Sequence, residues 1–422
     1  MAATDVTIQY LGPKGDGVAQ GQRGRIYIDG GIPGDRVRVR THRGDDGITR
    51  GEITAMLAPS SHRQEAPCPH YDQCGGCTLQ HVTPQFYTHW KQDMVRDQLA
   101  KLNLYPKRWD APVFIEGGHR RRATFAALKK NDRVIMGYYR RRSDQIADIK
   151  TCMVAEPEIF KMRDTLRPLL VPILKEGRAA DVFIQHVGGV YDVVITGQLG
   201  RHGEPDLNVR EAISELARKA GVARVGWRSR DRDPIDVMIE REKPIASFGE
   251  LRVALPPAAF LQPTLQGELA LVDAVMARLP AKGHFADLFS GCGTFSGPML
   301  ARGSVDAYES VDPAIKALTK ARGTHQLKAV KRDLFKNPLR RDEINRYDAI
   351  VFDPPRAGAR EQSSAMASAK APLLVGVSCN PATFARDARI LCDGNYRLDS
   401  IQLIDQFTWS HHVELVASFI RK

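Results

Sequence analysis

A chain of 422 residues is longer than one ordinary hydrophobic core supports, so two or three domains are expected. Its hydrophobic share of 43% excludes an intrinsically disordered chain, and a formal net charge of +12 favours a polyanionic partner such as nucleic acid. No apolar run approaches the ~20 residues that span a bilayer, and no signal-peptide progression opens the chain, so no membrane partner and a cytoplasmic location are expected. Seven cysteines, an odd number, argue against a fully paired disulfide framework and for metal binding or chemistry.

Residues 1–58 read as all-β. Short runs at Val6-Thr7-Ile8, Arg25 to Ile28 and Val37 to Arg40 are separated by the turn pairs Gly12-Pro13, Asp16-Gly17, Gly30-Gly31 and Pro33-Gly34. Closely spaced strands of this kind predict a small OB-like barrel. Ala58 to Ser61 reads as a linker, and residues 59–255 mix helical and strand patterns in a central α+β domain. Helices are predicted over Phe86–Leu99 and Leu207–Ala220, and a strand over Val190–Ile195. Three basic clusters, Arg120 to Arg122, Lys129-Lys130 and Arg140 to Arg142, crowd one short stretch. They suit phosphate contacts, with a solvated basic face as the plain alternative.

The same domain holds Cys68, Cys74 and Cys77, spaced Cys-x5-Cys-x2-Cys, with Gly75 and Gly76 letting the backbone wrap closely. Cys152 is the candidate fourth thiolate, because Cys292 and Cys379 sit in other motifs and Cys392 is remote. Four thiolates suit a [4Fe-4S] cluster, with a structural zinc as the alternative. His70 and His81 lie nearby, but a lone histidine is more often a surface or core residue.

From residue 256 to 422 strands alternate with helices, which predicts a doubly wound Rossmann-like α/β domain. Apolar strands are expected at Phe285–Phe289, Ala349–Phe352, Leu373–Val377 and Val413–Phe419. Asp287 to Phe295 leads from the first of these through Gly291 and Gly293 into a helix, which lets a ligand approach the backbone. Gly297 misses the dinucleotide spacing by one position, which favours S-adenosylmethionine over NAD. Glu309, with Asp312 as its rival, ends the next strand and would grip ribose hydroxyls, and Asp333 fits the adenine edge.

Asp353-Pro354-Pro355-Arg356 and Ser378-Cys379-Asn380-Pro381 end two further strands, so Gly291, Asp353 and Cys379 converge on one crevice. A thiolate there can add to C6 of uracil, making C5 nucleophilic toward a sulfonium methyl group, after which a base must remove the C5 proton. Glu414 is the candidate base and His412 its rival; the sulfonium and Arg356 would favour the thiolate. An N6-adenine or N4-cytosine methyltransferase would instead carry an aromatic residue where Arg356 stands.

In these residues the chain resembles the RNA uracil-5 methyltransferases, specifically the iron–sulfur members that act on ribosomal RNA and carry an N-terminal TRAM domain. The likeness rests on Cys68-x5-Cys74-Gly-Gly-Cys77, Asp353-Pro-Pro-Arg-Ala-Gly-Ala359, Ser378-Cys-Asn-Pro-Ala-Thr383 and His412-Val-Glu414, in that order. It implies Cys379 as nucleophile and Glu414 as base. It also implies Gln262, Phe289, Glu309 and Asp353 as S-adenosylmethionine contacts, with Thr294 and Asp333 lining the pocket. Cys68, Cys74, Cys77 and Cys152 would hold a [4Fe-4S] cluster. The implied substrate is a uridine in a single-stranded loop of ribosomal RNA, 23S rRNA in particular, acted on by a monomer. Alternatives are the same reaction on tRNA, or a non-catalytic RNA-binding assembly factor on a methyltransferase scaffold. Two departures stand out: Phe289 where many members have Tyr, and Phe407-Thr-Trp-Ser410 where Phe-Pro-x-Thr is usual.

Overall fold

Five strands, β1 (Ala3–Leu11), β2 (Gly17–Gly21), β3 (Gly24–Ile28), β4 (Arg36–Arg43) and β5 (Thr49–Ala58), close into a barrel in the order β1-β2-β3-β5-β4. This is the OB-like architecture that the turn spacing predicts. Period-two alternation builds it: Val37 and Val39 are fully buried beside Ile8, Ile26 and Ile28, while Arg36, Arg38 and Arg40 between them are exposed. The outer arginines are partly neutralised, Arg38 by Asp5 at 2.7 Å and Arg50 by Asp46 at 2.6 Å.

The computed structural model describes residues 3–22 and 24–422. The chain divides into two compact units, Met1–Gln98 with Trp409–His412, and Leu99–Thr408 with Val413–Lys422. The first holds the barrel, the cysteine loop and most of a helix at Pro84–Ala100, two residues earlier than the sequence pattern predicts. The segment Trp409–His412 belongs to it because the Trp409 carbonyl accepts hydrogen bonds from the amides of Thr78 and Leu79.

The second unit contains a seven-stranded sheet in the order Ile146–Ala147, Arg133–Tyr139, Arg122–Lys130, Ala179–Val187, Val190–Thr196, Arg224–Arg228 and Asp236–Glu240. Helices Pro157–Leu169 and Leu207–Ala220 pack on it. The second of these starts where Asp206 accepts a hydrogen bond from the Val209 amide and stops at Gly221, which has φ 65°.

The same unit contains a nine-stranded sheet. Five strands run parallel in the order Leu327–Lys331, Gly303–Glu309, Gly283–Leu288, Ala349–Phe352 and Leu373–Ser378. Glu414–Arg421 then inserts antiparallel between Leu373–Ser378 and Tyr396–Asp405, and short strands at Arg108–Trp109 and Val113–Phe114 extend the edge. The chain winds outward in both directions from the neighbouring strands Gly283–Leu288 and Ala349–Phe352, so their carboxyl ends open a crevice at a topological switch point. No helix among the described residues is long and apolar enough to cross a membrane.

Candidate active site

The glycine turn is built from an unusual backbone. Phe289, with φ 62°, occupies the left-handed region directly after its strand, followed by Gly291 at φ 54° and Gly293 at φ 97°. A non-glycine residue there costs about 1–3 kcal/mol and persists where surrounding structure enforces it, commonly at a ligand site. A Cβ on Gly293 would lie 2.7 Å from the Leu318 side chain, whereas one on Gly291 would meet nothing within 4 Å, so the Gly291 side of the turn is open to a ligand.

Asp287 holds the turn from behind. It is fully buried and accepts a hydrogen bond from Ser296 Oγ at 2.5 Å. Burial pushes its carboxyl up to about 7, although the Ser296 hydrogen bond works the other way. Glu309 fastens the turn to the next strand, since its Oε2 accepts from the Gly291 amide at 3.1 Å and its Oε1 from the amides of Ser310 and Val311. Thr294 is half-buried in the turn. Asp333 caps its own turn, its Oδ1 accepting from the Phe335 amide at 3.0 Å, which places the Phe335 ring 5.5 Å from that of Phe289. Two partly exposed rings beside a ribose-height carboxylate suit an adenosine.

The reacting groups lie at the next strand ends. The Asp353 amide donates to the Leu288 carbonyl at 3.2 Å, joining the Asp-Pro-Pro-Arg turn to the strand that feeds the glycine turn. Burial pushes the Asp353 carboxyl up to about 7. Cys379, half-buried one residue beyond its strand, has its thiol pushed up to about 11 by burial and then by the charges of Glu414 and Asp353, with Arg356 opposing. Glu414, at the start of the last strand, is 4% exposed; burial and then Asp353 push its carboxyl well above the usual carboxylate range. Cys379, Glu414, Asp353 and Arg356 are thus within electrostatic reach of one another. His412, the rival base, falls in the first unit, where its carbonyl accepts a hydrogen bond from Lys91. Cys292, within the glycine turn, is buried and has its thiol pushed up to about 12, as suits a packing residue.

Gln262 is buried, and its Oε1 accepts from Gln406 Nε2 at 2.7 Å. Gln406 gave no signal in the sequence. Arg121 corrects the reading of its cluster as three RNA-facing cations: it is 7% exposed, pairs with the buried Glu268 and donates to the Gln262 carbonyl at 3.1 Å. It lies just before the strand Arg122–Lys130, and the buried Glu268 carboxylate draws its guanidinium inward. Arg122 instead stacks on the exposed Phe260 ring at 4.7 Å.

Cys68, Cys74 and Cys77 lie half-buried in the loop after the barrel, and the Gly76 amide approaches Cys74 Sγ at 3.4 Å. His81 is a core residue, its Nδ1 bonded to the Tyr71 hydroxyl at 2.6 Å. Cys152 is half-buried in the second unit. The soft thiols and the loop's glycines suit a thiolate-bound group by their chemistry. Among the described residues, however, no three His, Cys, Asp or Glu side chains are arranged to hold a metal ion.

Comparison with known proteins agrees with this geometry. The family profile described as tRNA (Uracil-5-)-methyltransferase matches residues 314–422, which include Asp353, Cys379 and Glu414. An uncharacterized RNA methyltransferase of Mesorhizobium japonicum is 36% identical over 97% of this chain and 96% of its own. A 23S rRNA (uracil(1939)-C(5))-methyltransferase, RlmD, of Acinetobacter baumannii is 30% identical over 98% of this chain and 92% of its own. Among solved structures, the Pyrococcus abyssi tRNA (uracil-54, C5)-methyltransferase in complex with S-adenosyl-L-homocysteine superposes with a TM-score of 0.77 at 21% identity, covering 99% of both chains. With a Rossmann-like crevice, an OB-like barrel and relatives matched from end to end, this chain belongs to the S-adenosylmethionine-dependent RNA (uracil-5-)-methyltransferase family.

Proposed function

We propose that this protein methylates C5 of a uridine in ribosomal RNA, 23S rRNA in particular, through a covalent bond between Cys379 and C6 of the base. The observation that carries the reading is the convergence of the Cys379 thiol, the buried Glu414 carboxyl and Asp353 at one end of the sheet, where the strands Ala349–Phe352 and Leu373–Ser378 end and the antiparallel strand Glu414–Arg421 begins.

Bound S-adenosylmethionine supplies an electrophilic methyl group and a positive charge. Gln262, Phe289, Glu309 and Asp353 would hold it, with Thr294 and Asp333 lining the same pocket. The Cys379 thiolate adds to C6, and the electron pair of the C5–C6 double bond moves onto the C4 carbonyl as an enolate. C5 then takes the methyl group on the opposite face as the C4 carbonyl re-forms, the sulfur–methyl bond breaks and neutral S-adenosylhomocysteine is left. Glu414, as carboxylate, removes the C5 proton; the double bond re-forms and the thiolate leaves C6. Arg356 and the cofactor's charge favour the ionised thiol, against the burial that opposes it.

Access to both faces of the ring requires an extruded base in a single-stranded loop. The barrel of residues 1–58 and the surface around Arg122 would hold the flanking RNA. The choice of ribosomal RNA is supported by the end-to-end likeness to the RlmD protein; tRNA is the alternative, after the Pyrococcus abyssi protein. Cys68, Cys74, Cys77 and Cys152 are proposed to hold a [4Fe-4S] cluster with a structural role, zinc being the other group thiolates would take. Iron and acid-labile sulfide assays on anaerobically purified protein decide between them.

The test uses RNA carrying 5-fluorouridine, which has no C5 proton to lose. Wild-type protein should form a stable adduct with it, and Cys379→Ala should not. An adduct that survives Cys379→Ala overturns the reading. Methylation maps of ribosomal and transfer RNA from cells with and without the gene decide the substrate.

A further inference from the structure

Gln406 sits between two residues on opposite sides of the proposed reaction. Its Nε2 donates to Gln262 Oε1 at 2.7 Å, and it lies two residues past Ile404, which pairs across the sheet with Glu414, so its amide stands near the Glu414 carboxyl and opposes the rise that burial imposes there. Gln406 is 1% exposed and Gln262 4% exposed, so neither amide can exchange this bond for water.

A third contact fixes the amide from behind. The helix Leu265–Met276 begins against it: a Cβ added to Gly267 would lie 2.3 Å from Gln406 Oε1 and 2.7 Å from Gln406 Cβ. The Gln406 Oε1 is buried with no hydrogen-bond partner, so the side chain is held through its nitrogen, which bonds Gln262. An amide nitrogen carries two hydrogens; one goes to Gln262 Oε1, which leaves the second for the nearby Glu414 carboxyl. The unpartnered oxygen is the cost of that orientation, because a half-turn of the amide would bring it face to face with the Gln262 oxygen.

We propose that Gln406 is a positioning residue that aims the Glu414 carboxylate at C5 of the substrate and ties that aim to the placement of Gln262 on the S-adenosylmethionine side. The inference rests on Glu414 being the base. Gln406 itself touches neither the reacting carbon nor the methyl group.

The test is Gln406→Met, similar in length without the amide, assayed with RNA carrying protium or deuterium at C5 of the target uridine. We expect kcat to fall roughly 10- to 100-fold, the cost of a misplaced catalytic group, with a smaller change in KM for S-adenosylmethionine. The C5-deuterium isotope effect on kcat should grow, because proton removal becomes the slow step. The adduct with 5-fluorouridine RNA should still form, since thiolate addition and methyl transfer come before proton removal. Parental kcat with an unchanged isotope effect overturns the proposal, as does loss of the adduct in a folded variant. If wild-type protein forms no adduct, the Cys379–Glu414 reading fails instead.

Should Gln406→Met not fold, Gln406→Glu carries the test, because it has the same shape. A second carboxyl beside Glu414 disfavours its ionisation, so the acid limb of the kcat–pH profile should move to higher pH. An unmoved limb overturns the proposal.

Discussion

The Asn380 side chain donates a hydrogen bond to the Arg356 carbonyl at 3.0 Å, and the Thr383 hydroxyl donates to the same oxygen at 3.2 Å. The turn after one strand is thereby clasped to the turn that carries Cys379. The helix Pro381–Asp393 extends the clasp, with Asp387 accepting from the Ala359 amide at 2.6 Å and Arg386 donating to the Ala357 carbonyl at 2.9 Å. Gly358 lies inside it at φ 76°, where a Cβ would stand 2.4 Å from Arg386 Nη2 and 2.5 Å from Asp387 Oδ2.

Gly358→Ala should therefore be costly in two ways, through a strained backbone and a broken clasp. A loss of about 1–3 kcal/mol in stability is expected, together with a drop in kcat. Urea denaturation gives the first and single-turnover methylation the second. A variant with parental stability would show that the turn has room to move.

Cys379→Ala should lower methyl transfer at least about 10³-fold, because the reaction loses its nucleophile. RNA affinity and the urea midpoint should stay near parental values, since a half-buried thiol contributes little packing. Gel-shift and filter-binding assays beside a methyl-transfer assay check both halves.

The two neighbouring arginines should separate. Arg121→Met leaves Glu268 buried without its cation and should cost about 3–5 kcal/mol of stability. Arg122→Met removes a half-buried cation stacked on the exposed Phe260 ring, whose charge burial and the neighbouring Arg121 and Arg120 already disfavour, and should weaken RNA binding with a smaller loss of stability than Arg121→Met. Salt-dependent RNA titrations read the second, because a lost phosphate contact lowers the slope by about one.

Removing residues 1–58 should weaken RNA binding more than S-adenosylmethionine binding, because every proposed cofactor contact lies in the second unit. Equal losses would assign the barrel a folding role instead. Isothermal titration with S-adenosyl-L-homocysteine beside an RNA gel shift makes the comparison.

Much of this arrangement was legible in the sequence because it follows from local chemistry. Glycine and proline turns mark the barrel strands, and the strand-end motifs alone point Gly291, Asp353 and Cys379 toward one crevice. The Asn380 side chain accepts from the Ala382 amide and so caps the helix that follows, a role the strand-end motif alone did not announce. What the sequence hid depends on contacts between distant segments. Gln406 and Gln262 meet across 144 residues, and Arg121 finds Glu268 across 147. No periodicity encodes such pairs. The antiparallel insertion of the last strand was hidden for the same reason, since strand direction is decided by the sheet and not by the strand's own residues.

Stability should fall as pH rises, the reverse of the usual carboxylate pattern. Burial pushes Asp287 and Asp353 from the ordinary aspartate value of 3.8 up to about 7 in the folded protein. Between those values the folded state keeps protons that the unfolded chain has released, so raising the pH favours unfolding. The stabilisation is complete below about 3.8 and is lost as pH climbs through about 7. At 1.36 kcal/mol per unit the upper bound is about 4 kcal/mol for each group, reduced by whatever water reaches them. Surface acids act in the opposite sense, such as Glu215, held at about 2 by Arg218 and Lys219, but they are exposed and their effect lies at lower pH. The melting temperature of the ligand-free protein should therefore decline from pH 5.5 to pH 8, and Asp287→Asn should flatten that decline. S-adenosylmethionine, being a cation, should raise the melting temperature more at pH 8 than at pH 5.5, where these acids already carry their protons. A flat profile across that window would mean that both carboxyls ionise normally inside the fold.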